Sequence, residues 1–163
     1  MAERPIRIFG DPVLKTVSDA IADPASARAL VQDLLDSVAL PGRAGVAACQ
    51  IGVNLRAFSW NVDGEVGYVI NPTLVEVAGE AELVDEGCLS VPELFFKTPR
   101  HPFARVVGVD LDGETVDVSG TGLLAQALQH ECDHLDGTVY VMTLDPETRR
   151  QALRDIRAQD WFH

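Results

Sequence analysis

The segment QHECDHLDG at 129–137 constrains this 163-residue chain more than any other. It sets His130 and His134 one helical turn apart, with Glu131 beside the first. Residues four apart share a face in a helix and in a strand, but in a strand they stand about 13 Å apart, so the two imidazoles converge on a single point only if the stretch is helical. The spacing predicts a helix over about 121–135 that ends near Gly137. Two imidazoles closing on one cation, with a carboxylate turned toward bound water, outline a metal-assisted hydrolase.

A metal site that does chemistry usually has three protein ligands and one open position, so a third ligand must come from elsewhere. Cys88, in EGCLSVP at 86–92, is a candidate, set between Gly87 and a short apolar run as if presented from an extended segment. A cysteine is as readily an apolar core residue, and its immediate neighbours leave both readings standing.

The remaining pattern is mixed α and β. Asp23-Pro24 reads as a cap and first helical position, Leu30, Val31, Leu34, Leu35 and Val38 follow at helical spacing, and Pro41-Gly42 stops the helix. Runs rich in β-formers cover 55–61, 66–77 and 104–118, with Asp63-Gly64 and Asp112-Gly113 as hairpin turns. TVYVM at 138–142 reads as a short strand, and Asp145-Pro146 opens a last helix. No repeat or linker divides the chain, which is expected to be one domain over 1–163, long enough to bury a core without disulfides. Three cysteines, an odd number, fit a reducing compartment, with Cys49 and Cys132 as packing residues. A net charge of −12 disfavours nonspecific nucleic-acid binding, and specific DNA binding is not expected. The opening MAERPIRIFG has no long apolar run, so a cytoplasmic protein without membrane contact is expected.

AGVAACQIG at 44–52, EGCLS at 86–90 and QHECDHLDG at 129–137, in that order, resemble the three signature motifs of the bacterial peptide deformylases. IRIFGDPVLK at 6–15 looks like the usual opening of that family, so the resemblance covers nearly the whole chain. It implies an α+β fold with antiparallel β-sheets around a central metal-binding helix. It also implies that Cys88, His130 and His134 bind one divalent metal, iron(II) in the family, with zinc, nickel or cobalt able to take the site. Ligand type alone does not choose among these ions. The implied activity is hydrolysis of the formyl group from N-formylmethionyl peptides of nascent chains, releasing formate.

In that scheme Glu131 moves the proton, and the side-chain amide of Gln50 and the backbone N–H of Leu89 face the charge that develops on the formyl oxygen. Gly45 pairs through its backbone with the peptide, Ala44 lies beside it in the cleft, and Leu123, Gln126 and Ala127 belong to the pocket for the methionine side chain. Glu86 is placed with the substrate-binding residues and also matches a position that pairs with Arg100. Read without the family, Gly45 is a turn glycine after Pro41-Gly42. Transient ribosome contact, which the family makes, falls on TRRQALRDIRAQ at 148–159 with its four arginines, unless these form an ordinary solvated helix face. A zincin-type protease shares the histidine spacing but takes its third ligand from downstream, whereas Cys88 lies upstream.

Three positions depart from the family pattern. Arg43 replaces the glycine that opens the first motif, where it narrows the cleft, contacts peptide, or is a solvated arginine at a loop edge. Phe95 stands where a basic residue is usual, and of the pair Phe95-Phe96 one is expected in the core and one exposed. Gln126 stands one turn before His130 where an aliphatic residue is usual, either making the pocket more polar or pointing to solvent with Gln129. These departures leave room for a deformylase-like protein of altered substrate preference or reduced activity. Gln126 predicts a weaker or altered preference for formylmethionine, seen as comparable turnover of formyl-Met, formyl-Leu and formyl-norleucine peptides.

Overall fold

A computed structural model describes residues 4–162. Its centre is helix α2, Gly122–Leu135, which matches the helix expected from the histidine spacing. Against it lies a five-stranded antiparallel sheet formed by β1 (Gly45–Ala47), β2 (Ala57–Val62), β3 (Glu65–Ala78), β6 (Phe103–Val109) and β7 (Thr115–Thr121). The strand order is β1-β2-β3-β6-β7, and β4 (Glu82–Cys88) and β5 (Val91–Arg100) form a separate antiparallel hairpin. This is the α+β arrangement of antiparallel sheets about a helix.

Period-two alternation explains how one sheet serves two cores. Phe58, Trp60, Val69, Ala104 and Val106 point to one face and pack with Ala125, Leu128, Cys132 and Leu135 of α2. Their neighbours Ala57 and Ile70, with Val46, point to the other face and pack with Leu30, Val31, Leu34 and Val38 of α1 (Arg28–Val38). Because β2 lies between both helices, five of its six residues are buried. Asp23 caps the entry to α1 as expected, its carboxylate accepting from the Ala25 N–H, although the first turn, Pro24–Ala27, is a 3-10 turn.

The turn at Asp63-Gly64 is a two-residue hairpin with positive φ at both positions, 53° and 84°, as the paired strands require. At Asp112-Gly113 the loop is longer, running from Asp110 to Glu114, and the Asp110 carboxylate closes it by accepting from the N–H groups of Asp112 and Glu114. The run at 104–118 is thus divided at the expected turn into β6 and β7, with β7 continuing to Thr121.

TVYVM does not form a strand. Tyr140–Thr143 is a 3-10 turn that drives Tyr140 and Val141 into the core, where their β-forming side chains are used for packing with no partner strand beside them. The β4–β5 hairpin had no sequence signal of comparable strength. Residues 92–97 of β5 alternate between half-buried and exposed, β4 shows no such alternation, and Pro92 and Pro99 interrupt the run. Helix α3, Pro146–Arg157, begins where Asp145-Pro146 predicts, with the Asp145 carboxylate accepting from the Thr148 N–H.

Candidate active site

Helix α2 carries an apolar stripe toward the five-stranded sheet and turns a polar stripe toward the β4–β5 hairpin. Gln129, His130, Glu131 and His134 are all buried. Buried polar side chains need partners: the hairpin supplies Glu86 to His130 and Cys88 to His134, and the His101 backbone supplies Gln129.

The hairpin delivers Cys88 at a register shift between Gly87 and Cys88, just before the Leu89-Ser90 turn. Cys88 Sγ lies 3.3 Å from His134 Nε2, and His134 Nε2 lies 3.2 Å from His130 Nε2. The three donor atoms all fall within 4.8 Å of one another. Tetrahedral coordination with ordinary metal–sulfur and metal–nitrogen lengths puts such donors about 3.3 to 3.6 Å apart, so one thiol and two imidazoles here suit a single divalent ion.

Glu86 accepts from His130 Nδ1 at 2.6 Å, which leaves Nε2 as the nitrogen with a free lone pair. Its other contacts are Arg100 Nε at 2.8 Å and Arg100 Nη2, while Arg100 Nη1 reaches Asp133 on α2 at 2.7 Å. Burial works against charge on Glu86, but Arg100 and His130 hold its carboxyl at about 2. The Glu86 carboxylate is thus committed to a ligand and to Arg100, while the residue also lines the cleft. Burial also disfavours charge on both imidazoles. At His130 the Cys88 sulfur and Glu86 outweigh it and raise the pKa, whereas at His134 burial and the charge of His130 lower it.

Glu131 is 3% exposed, and its Oε1 has no hydrogen-bond partner among the described residues. Burial, with the repulsion of Glu86 added and the attraction of His130 opposing, pushes its pKa up to about 7. Its other oxygen lies against Gly45, where a Cβ would stand only 2.6 Å away. The missing side chain of Gly45 therefore makes room for Glu131.

Gly45 sits in an edge strand and not in a turn. The Asn61 N–H donates to the Ala44 carbonyl, and Gly45 lies opposite Trp60. Bonded and non-bonded pairs alternate in an antiparallel ladder, so the Gly45 N–H and C=O point away from β2, to the open side of the strand. An extended peptide can add there.

Gln50 is held in a 3-10 turn, Ala48–Ile51. Its Oε1 accepts from the Ala47 N–H at 3.0 Å, and its Nε2 donates to Ser90 Oγ at 3.2 Å and lies 3.6 Å from Cys88 Sγ. This fixes which end of the amide faces the thiol. The N-terminal segment braces both sides, since the Arg7 N–H donates to the Gln50 carbonyl at 2.7 Å and the Phe9 N–H to the Ser90 carbonyl at 2.8 Å.

These groups open on a cavity of about 560 Å³, whose lining includes Ala44, Gly45, Gln50, Leu89, His130 and Glu131. Leu123, Gln126 and Ala127 from α2 and Phe95 from β5 also line it. Phe95 is the exposed member of its pair and lies over Gly87, whose missing Cβ would meet the ring at 2.5 Å, while Phe96 packs toward Tyr140. Arg43 donates to the Ser37 carbonyl at the end of α1 at 2.9 Å and also borders the cavity. Gln126 donates to the Asp85 carbonyl of β4 at 3.0 Å. Gln129 does not face solvent but is buried, bonded to both backbone groups of His101. Cys49 and Cys132 are buried, and burial pushes both thiols up to about 12. Asp133, Ser90 and Tyr140, whose ring lies 5.8 Å from that of His130, had no role read from sequence. Asp133 and Ser90 stand inside recognisable motifs, and nothing local marked Tyr140.

Comparison with known proteins agrees with this geometry. The polypeptide deformylase family matches residues 3–150. The chain is 45% identical over 162 residues to a peptide deformylase of Acidothermus cellulolyticus, covering 99% of this chain and 89% of that protein. It is 40% identical over 168 residues to peptide deformylase 1 of Corynebacterium efficiens, covering 100% and 99%. It superposes with a TM-score of 0.87 and 31% identity on a peptide deformylase of Ehrlichia chaffeensis in complex with actinonin, covering 99% of each chain.

Proposed function

As a chain that belongs to the polypeptide deformylase family and removes the N-formyl group from nascent peptides, it does so, we propose, through Glu131 beside a Cys88–His130–His134 metal site. The observation that carries this reading is the convergence of those three donor atoms next to a buried, unpartnered carboxylate oxygen.

A divalent cation on Cys88, His130 and His134 supplies Lewis-acid activation of water and of the formyl oxygen near neutral pH. Iron(II) is the ion we assign, on the family resemblance; zinc, nickel and cobalt suit the same donors. Glu131 takes the proton of the attacking water and returns it to the peptide nitrogen as the C–N bond breaks, giving formate and a free N-terminal amine. The Gln50 Nε2 amide and the Leu89 N–H donate to the formyl oxygen as it gains charge. The open backbone groups of Gly45 hold the peptide extended between β1 and the hairpin. Glu86 keeps His130 in the tautomer that ligates, and Arg100 fixes Glu86.

The protein works in the cytoplasm and meets nascent chains at the ribosome through α3, where Arg150, Arg154 and Arg157 are exposed. No helix among the described residues is long and apolar enough to cross a membrane. Salt-sensitive co-sedimentation with ribosomes that weakens on Arg154→Glu supports the α3 contact, and undiminished binding removes it.

Formate release from formyl-Met peptides, by protein prepared anaerobically with Fe(II) or Ni(II), tests the activity. The expected result is turnover with bound metal in the wild type, and loss of both in Cys88→Ala. Full metal occupancy in Cys88→Ala contradicts the ligand set.

A further inference from the structure

We propose that Gln126 is a partition that limits how long an N-terminal side chain the enzyme accepts, by closing off a second cavity behind the first. This rests on the deformylase reading and adds a length limit to it.

The second cavity, a half-open groove of about 390 Å³, lies between the N-terminal end of α2 and the hairpin, and its lining includes Glu82, Val84, Arg100, His101, Pro102 and Gly122. It shares only Leu123 and Gln126 with the cavity that holds the metal ligands. Leu123 is 50% exposed and no hydrogen bond anchors a leucine side chain, whereas Gln126 is tied across the boundary by its bond to the Asp85 carbonyl. Gln126 also stands one turn before His130, on the side of α2 that faces the hairpin. A side chain entering the first cavity beside the metal site and running along α2 meets the Gln126 stem before it reaches the second. Ala127, the next residue, is too small to stop it.

Swinging Gln126 aside would break its bond to the Asp85 carbonyl, so the wall stays shut for a side chain that gains little by passing it. Removing the wall joins the two spaces.

The test compares kcat/KM for formyl-Met-Ala, formyl-norleucyl-Ala and formyl-2-aminooctanoyl-Ala peptides in metal-loaded wild type, Gln126→Ala, Gln126→Met and Gln126→Ala/Val84→Phe. Gln126→Ala is expected to raise the ratio of the eight-carbon substrate to formyl-Met at least about tenfold, the low end of what added methylenes are worth in an apolar pocket. Gln126→Met keeps the bulk but loses the anchoring bond to the Asp85 carbonyl, so it is expected to raise the ratio by less than Gln126→Ala. Val84→Phe, filling the second cavity, reverses the gain. Gln126→Ser repeats the measurement if the alanine variant folds poorly. A ratio within twofold of wild type in the small variants, or a gain that Val84→Phe leaves intact, overturns the partition. Wild type that releases no formate from any of the peptides overturns the underlying reading and this one with it.

Discussion

Glu131 packs directly against Gly45, and the carboxylate occupies the space a side chain at 45 would need. Gly45→Ala is therefore expected to displace Glu131 and lower kcat by about 10²-fold, the scale of an ångström of misplacement, with metal content unchanged. Metal analysis beside formate kinetics checks this, and unchanged kcat would remove the contact from the account. The dependence of His130 on Glu86 predicts that Glu86→Gln lowers metal affinity about 10- to 100-fold in a competition titration. At this scale the sequence was most informative where the chemistry needs fixed spacing. His130, Glu131 and His134 are set by helix geometry alone, whereas the Glu86–Arg100 pair was legible only through the family resemblance and the bond of Glu86 to His130, 44 residues away, only in the folded chain.

Among the elements, helices were legible because caps and apolar spacing are local signals. Asp145 marks the start of α3, and its hydrogen bonds with Thr148 hold its carboxyl below the usual range. A carboxyl with a depressed folded-state pKa contributes stability that is present above its unfolded pKa and lost as pH falls through the folded value. Asp145→Ala should accordingly lower Tm near neutral pH, with a difference from wild type that shrinks in acid. A gap that stays constant down to low pH contradicts the cap. Strands were less legible. TVYVM has strand composition yet packs as a turn because the core claims Tyr140 and Val141, and the β4–β5 hairpin draws its stability from long-range contacts with α2 and the N-terminal segment.

The whole molecule is organised around a site that joins three separate parts of the chain: the Gly45 and Gln50 segment, the hairpin and α2. Cys88 comes from the hairpin and the two histidines from α2, so an ion that binds only the folded state couples hairpin to helix. Metal at 100 times its Kd should add about 2.7 kcal/mol of stability, seen as a Tm that falls on chelation and recovers on readdition. A Tm indifferent to chelation would mean that the ion does not bridge these elements. The motif order in the sequence pointed to the family over nearly the entire chain, but the two cavities and the wall between them exist only in three dimensions.

The central claim is that Glu131 moves the proton beside a metal held by Cys88, His130 and His134. Its most direct measurement is formate release by Glu131→Gln with metal content determined on the same sample. The account predicts full metal occupancy and a loss of turnover of about 10²- to 10⁴-fold. Wild-type turnover from the fully loaded variant would contradict it.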